Sequence, residues 1–470
     1  VNVDELVGKA AAEHPQRIAF RLLDGSTVSW AQVDQQVDAF ADALRQRGIG
    51  PGERVAIVLP NSVAFAVAFW GTLRAGAVVV PMNPAYTPRE RNHILTDSGA
   101  ALLVSPEGLE SVDSATSPSA VPDGTAVICY TSGTTGVPKG ALLTHANFLT
   151  NLESFALLPA LRVNADDVLL GLLPFFHIFG LNVILNAAAR HGASVLIMDH
   201  FSPAGSLSDL ATHGVTVAYG APPVFAAWCA VPVESVPPLP ALRAAVSGAD
   251  SLPAPLWHAF AQRFGVEIQE SYGLTETAPG LTSNAAAPRP KAGTVGLPLS
   301  GVEVRLTGPD GSDVAAGQIG EIQARGANVF AGYHGLADAT AEAIDAEGWF
   351  RTGDLGQWDD DGYLVIKGRL KDLVIVSGFN VYPREVESVL IEHPAIADVA
   401  VVGLPDARTG ERVRAVVVTQ PGQTLSEAEV VAYCRERLAR YKMPREVVFL
   451  PALPRKATGK VARDALRTSP

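Results

Sequence analysis

Tyr130-Thr131-Ser132-Gly133-Thr134-Thr135-Gly136-Val137-Pro138-Lys139-Gly140 follows an apolar strand pattern at 125–131 and leads to a helix that opens near Thr144. Its glycines let successive backbone N–H groups converge on an anion. The hydroxyls of Thr131, Ser132, Thr134 and Thr135 add donors, and Lys139 adds a positive charge. The segment reads as a loop that holds a phosphate between a strand and a helix, which makes the surrounding fold α/β. It is not a Walker A loop, because Pro138 precedes Lys139 and no Gly-Lys-Ser/Thr follows the required spacing.

Outward from this loop the α/β pattern continues. Strand patterns at 54–59, 77–81 and 101–105 alternate with helical patterns at 29–48 and 63–73, as in a mainly parallel sheet covered on both faces. Ser29 is placed to cap the first helix and Gly48 to end it. Residues 105–123 are rich in Ser, Pro and Gly and read as a surface loop. From about Gly293 short β patterns with Gly and Asp turns suggest antiparallel structure, a small barrel. From Arg369 the pattern is α+β again, with helices at 385–393 and 425–438 and strands at 399–403 and 413–419. With 470 residues the chain exceeds a single core of roughly 250–300 residues. Two domains are expected, 1–368 and 369–470.

The composition, 48% hydrophobic and 18% charged, excludes a disordered chain, and a net charge of −12 disfavours nucleic acid as a partner. Cys129, Cys229 and Cys434 lie far apart, which argues for a reducing compartment over a disulfide framework. Val1–Glu5 has no basic start followed by an apolar run, so no signal peptide is expected and the location is read as cytoplasmic. Two uncharged stretches, 55–73 and 168–189, are interrupted by Pro, Gly, Asn and His and read as buried strand and helix, not as membrane spans.

Five further motifs follow in order: Leu173-Pro174-Phe175-Phe176-His177-Ile178-Phe179-Gly180, Tyr272-Gly273-Leu274-Thr275-Glu276, Thr352-Gly353-Asp354, Gly368-Arg369-Leu370-Lys371-Asp372, and Pro454-Arg455-Lys456-Ala457-Thr458-Gly459-Lys460. With the 130–140 loop they resemble the adenylate-forming superfamily: acyl-CoA synthetases, peptide-synthetase adenylation domains and firefly luciferases. The likeness covers nearly the whole chain and is nearest to a bacterial fatty acid–CoA ligase. It implies a large N-terminal domain, a smaller mobile C-terminal domain turning about Lys371, and ATP, magnesium and coenzyme A as the other reactants.

The resemblance assigns Thr131, Ser132, Gly133, Thr134, Thr135, Gly136 and Lys139 to the phosphates of ATP. Ser247-Gly248-Ala249-Asp250 resembles one wall of the adenine slot, where small residues admit a flat base, and Glu270, Ser271, Tyr272 and Gly273 form the other. Thr275 offers a hydroxyl to the α-phosphate. Glu276 offers magnesium the hard oxygen ligand that it needs. Asp354 and Arg369 are centred on position 361.5, within a turn at 359–362, so they should lie nearly opposite each other across a hairpin, where they suit the ribose hydroxyls. Lys460 implies a catalytic charge near the α-phosphate. Ser377, Gly378 and Phe379 are implied at a pantetheine tunnel. His177, among three phenylalanines, reads on residue type as a packed core histidine. The resemblance instead places it against the acid or at a gate between acid and thiol.

Phe179, Val183, Val224, Phe225 and Gly280, with His177, are the expected acid pocket. The windows 176–189, 218–228 and 272–281 contain no Asp or Arg, and Glu276 is assigned to magnesium. An amino acid or a dicarboxylic acid is therefore disfavoured, and an uncharged apolar tail is favoured, a fatty acid ahead of an aryl acid. The alternatives are an aryl-acid or short-chain ligase and a stand-alone adenylating enzyme that loads a carrier protein. The resemblance also allows a homodimer.

Overall fold

The computed structural model describes residues 2–112, 119–131, 138–455 and 460–468. Two large sheets carry the first part of the chain. In one, Arg54–Ile57, Val78–Pro81, Leu102–Ser105 and Thr125–Thr131 run parallel, with Gly108–Ser111 and Lys139–Thr144 antiparallel at the two edges. The Gly108–Ser111 strand is a difference from the expected loop: it turns back at once on Leu102–Ser105. The second sheet has nine strands. Its centre is parallel, in the order Ile268–Gly273, Ala244–Ser247, Val217–Gly220, Val168–Gly171, Ser194–Ile197 and Ile18–Arg21.

Helices fill the space between these sheets. Trp30–Gln46 is opened by Ser29, whose side chain accepts from Gln32 N while Gln32 answers the Ser29 N–H. Val63–Arg74 buries residues almost all round, among them Phe65, Phe69 and Trp70, as a helix between two sheets must. Gly71 marks its closest approach to its neighbour: a Cβ there would lie 2.7 Å from Phe40. Central strands of the second sheet serve two cores, with Leu169 and Val217 facing the shared one and Leu170 and Ala218 an outer one. The two uncharged stretches divide as expected, and among the described residues no helix is long and apolar enough to cross a membrane.

The expected antiparallel region is a four-stranded sheet, Val302–Thr307, Gly320–Gly326, Phe350–Trp358 and Leu364–Arg369. Val295 N–H donates to Leu364 O and Gly296 O accepts from Leu364 N–H, which covers its last edge. Beyond it, a five-stranded sheet holds the long hairpin Ile396–Asp406 and Gly410–Thr419, with Pro383–Leu390 and Glu427–Arg435 packed against it around a core of their own.

Candidate functional site

The site lies where the carboxyl ends of the parallel strands meet the four-stranded sheet. In the Phe350–Trp358 and Leu364–Arg369 hairpin the register shifts between Gly356 and Leu355, leaving Lys367 without an opposite residue and setting Asp354 directly across from Arg369. Asp354 is 6% exposed, and its Oδ1 lies 3.2 Å from Arg369 Nε. The Tyr272 hydroxyl donates to Oδ2 at 2.7 Å, and burial with the Asp354 charge holds that phenol protonated well above its ordinary range. Across from Tyr272, Ala249 adopts φ 69°, an uncommon value for a residue with a Cβ. Gly248 lies so close to Phe179 that a Cβ would meet its ring at 2.8 Å.

Tyr272 ends its strand at Gly273, where a Cβ would collide with Pro279 O at 1.8 Å. The short Thr275–Thr277 helical turn follows. Glu276 is 8% exposed, and burial raises its carboxyl above the usual range. The Tyr333 hydroxyl donates to its Oε1 at 3.0 Å, and Lys139 Nζ sits 5.1 Å from the Tyr333 ring centre. Tyr333 was not legible in any motif. It is brought in by residues 331–334, which bond to Gly140 and Leu142 as an added strand. Thr131 and Lys139 stand opposite each other at the two ends of the phosphate loop, and Ser132, Gly133, Thr134, Thr135 and Gly136 lie outside the described residues.

Lys460 comes from the far end of the chain. Burial, then Arg369, pushes its amine below the ordinary lysine range, while Asp250, Asp354 and Glu276 oppose that shift. The same amine acts on His177, whose imidazole is held down at about 4 by burial first and Lys460 second. His177 is therefore neutral at physiological pH, and its Nδ1 accepts from Phe179 N at 3.3 Å.

Phe179 and Val183 belong to Phe179–Asn186, a π-helical segment, an uncommon form often found at functional sites. The Phe179 ring meets Tyr219 edge-on, with centroids 6.2 Å apart. Behind them a cavity of about 20 Å³ is lined by Val183, Tyr219, Phe155, Ala187 and other apolar side chains, with His191 among them. Gly280 borders the same region, packed on Phe155. The expectation for Phe225 is corrected: it packs on Trp228 and Phe260 in the outer core, while Val224, half-buried on the same helix Pro222–Ala230, lies at the edge of that core. Ser377 and Gly378, both at positive φ, form the tight turn between Val374–Val376 and Phe379–Val381. Phe379 is 56% exposed and stacks on Tyr441. Lys371 is exposed on the Leu370–Asp372 turn, which in sequence separates this hairpin from the strand that carries Arg369.

Residues 7–334 match the AMP-binding enzyme family, and residues 385–460 match the AMP-binding enzyme C-terminal domain. The chain belongs to the AMP-binding enzyme family. It is similar to a feruloyl-CoA synthase of Amycolatopsis, 37% identical over 465 residues that cover 94% of each chain. It is also similar to the long-chain-fatty-acid–CoA ligase FadD13 of Mycobacterium tuberculosis, 35% identical over 94% of this chain and 92% of that protein. The crystal structure of ATP-bound MatB from Rhodopseudomonas palustris superposes with a TM-score of 0.90 at 33% identity, over 99% of this chain and 98% of that one. At the level these relatives share, this AMP-binding enzyme is an AMP-forming acid–CoA ligase.

The Glu276 carboxylate suits the magnesium that such a ligase uses with ATP. It is a hard oxygen donor that, among the described residues, has one hydrogen bond and no ion-pair partner. No group of three metal-ligating side chains surrounds it among the described residues, so an ion there would rely on substrate phosphates and water, as magnesium commonly does.

Glu270 and Ser271 of the AMP-binding enzyme face inward. Ser271 Oγ donates to Ser283 Oγ, and Glu270, 2% exposed, accepts from Leu252 N at 3.0 Å. Burial pushes the Glu270 carboxyl up to about 7, against Arg384 and the Leu252 bond, which lower it. A raised carboxyl pKa means that the folded state holds the proton more tightly. The stabilisation is complete below the ordinary value of 4.5 and is lost as pH rises to about 7. Glu270→Gln keeps the acceptor and has no charge to bury. Its unfolding free energy should lack the loss of about 3 kcal/mol that the parent shows between those limits. Urea titrations at several pH values measure this, and identical pH profiles would contradict it.

Proposed function

We propose that this protein activates an apolar carboxylic acid, a fatty acid, with ATP, forming acyl-AMP and pyrophosphate and then the coenzyme A thioester. The observation that carries this reading is the convergence of Lys460 and Arg369, from distant parts of the chain, on the buried carboxylates Asp354 and Glu276. The Tyr272–Asp354–Arg369 arrangement suits a ribose: the carboxylate accepts its hydroxyls while the guanidinium donates. Tyr272, Gly248 and Ala249 flank a slot for adenine. Thr131, Lys139 and the loop between them hold the phosphates.

The acid's carboxylate is already ionised and needs no base. One of its oxygens attacks the α-phosphorus, the bond from that phosphorus to the bridging oxygen breaks, and pyrophosphate leaves. Lys460 offsets the negative charge that gathers as the two anions meet. Glu276, with the nucleotide's phosphates, would hold magnesium, which would supply charge neutralisation. In the second step the hairpin carrying Ser377, Gly378 and Phe379 replaces Lys460 after a rotation about Lys371. The thiol sulfur attacks the acyl carbonyl, the carbonyl carbon's bond to the AMP oxygen breaks, AMP leaves, and the thiol proton passes to water. His177, neutral and beside Phe179, fits a gate between acid and thiol better than a proton carrier.

The mostly apolar lining around Val183, Tyr219 and Ala187 supports an uncharged tail. Likeness to a feruloyl-CoA synthase supports an aryl acid as the second reading. Pyrophosphate release across a panel of linear, aryl and dicarboxylic acids, with and without coenzyme A, tests both. Sustained turnover should need acid and coenzyme A together, and kcat/KM should be highest for linear acids. A preference for aryl acids would favour the second reading. Turnover without coenzyme A, sustained by a carrier protein, would overturn the choice of thiol.

Asp354→Ala should raise the KM for ATP by roughly 10- to 100-fold, the worth of charged hydrogen bonds lost to a ribose. Initial rates against ATP concentration measure it, and an unchanged KM would leave Asp354 a structural partner of Arg369 alone.

A further inference from the structure

Buried hydrogen bonds run through the interior from Trp70 to the turn that carries Glu276. Trp70 Nε1 donates to Asn186 Oδ1 at 3.0 Å. Asn186 Nδ2 donates to Asn182 Oδ1 at 3.2 Å. Asn182 Nδ2 donates to Ala278 O at 2.7 Å and to Phe148 O at 3.2 Å. Both asparagines and Trp70 are fully buried.

The polarity of this chain is forced. An indole N–H only donates, so Asn186 must turn its oxygen to Trp70 and its nitrogen to Asn182. Asn182 must then accept with its oxygen and donate with its nitrogen, and both remaining neighbours are carbonyls, which only accept.

The end point is two residues from Glu276. Ala278 stands at φ 61°, a left-handed conformation that a residue with a Cβ keeps only when its surroundings impose it. Asn328 Nδ2 donates to Thr277 O and Gly280 O, and Asn151 Nδ2 donates to Gly280 O, so three buried amides hold this turn. Of these three, Asn182 alone belongs to the π-helical segment, between Phe179 and Val183.

We propose that Asn182 is a positioning residue for Glu276: through Ala278 it sets the turn that points the carboxylate at the metal–nucleotide site, and it ties that turn to the helix lining the acid pocket. This rests on the function proposed above. The role is chemical, because an apolar or acceptor-only side chain of the same shape would fill the space but leave the Ala278 carbonyl without its donor, whereas Phe148 O sits within the helix His145–Ala156.

Asn182→Asp places an acceptor against those two carbonyls. ATP binding is measured by titration calorimetry in magnesium and in chelator, and AMP binding alongside. The ratio of ATP affinities with and without magnesium should fall at least about fivefold, while the AMP Kd stays within about twofold, because AMP uses Tyr272, Asp354 and Arg369 and no metal. An unchanged magnesium ratio in a folded variant would overturn the proposal, as would an AMP Kd that weakens as much as the ratio falls. Should Asn182→Asp not fold, Trp70→Phe removes the far donor and should lower the same ratio by about twofold. No change there overturns the proposal equally. Acid-dependent pyrophosphate release by the parent is recorded in parallel: its absence would defeat the proposed function, whereas its presence with an unmoved ratio defeats only the role of Asn182.

Discussion

Replacing Lys460 by alanine is expected to lower acyl-AMP formation by roughly 100- to 1,000-fold, the usual cost of removing a buried charge aimed at a developing anion. Thioester formation from supplied acyl-AMP should stay near the parent rate. The two half-reactions should separate because Lys460 shares a locus with Arg369, Asp354 and Glu276, while Ser377–Phe379 belongs to a different hairpin. Rapid quench with ATP and acid measures the first step, and coenzyme A added to preformed acyl-AMP measures the second. Normal acyl-AMP formation by the variant would remove Lys460 from the chemistry. The parent's first step should also decline at alkaline pH, starting below the ordinary lysine range, because burial lowers the pKa at which the charge is lost.

Lys371→Pro should give the opposite pattern. Lys371 is the middle residue of the single Leu370–Asp372 turn, exposed, between the sheet that carries Arg369 and the hairpin that begins at Val374. A domain rotation must be absorbed by a few backbone dihedrals. Proline fixes φ near −65°, which the first turn of a helix tolerates, so the arrangement with Lys460 inward is retained and the turn away from it is barred. Acyl-AMP should form at close to the parent rate and thioester formation should fall roughly tenfold or more. Equal loss of both steps would indicate misfolding, and loss of neither would put the hinge elsewhere.

The pairing of Asp354 with Arg369 was legible because a hairpin obeys arithmetic: a turn at 359–362 sets which residues face each other, and the bulge at Lys367 supplies the half-step that makes the match direct. The strand at 125–131 and the cap at Ser29 were legible because each depends on a local pattern. Tyr333 was not, since its place depends on a pairing with Lys139–Thr144 made across nearly two hundred residues of chain. Asn182 and Asn186 read only as polar interruptions of an apolar run, because nothing local tells whether a buried amide will find partners. Phe225 misled for a related reason: an apolar residue after a pocket-lining strand has two cores to choose from, and the helix phase that decides between them is not written in composition.

The exposed Leu370–Asp372 turn also matters to a protease. Arg369 and Lys371 are both trypsin targets, they bracket a 46%-exposed leucine, and the compact cores on either side offer fewer accessible sites. Brief digestion of the native protein should therefore nick it first at this turn, into a piece of about 40 kDa and one of about 10 kDa. If Arg369 holds the nucleotide's sugar as proposed, saturating ATP should slow the cut there, and the rate of nicking would become a clock for how often the two sides of the turn part.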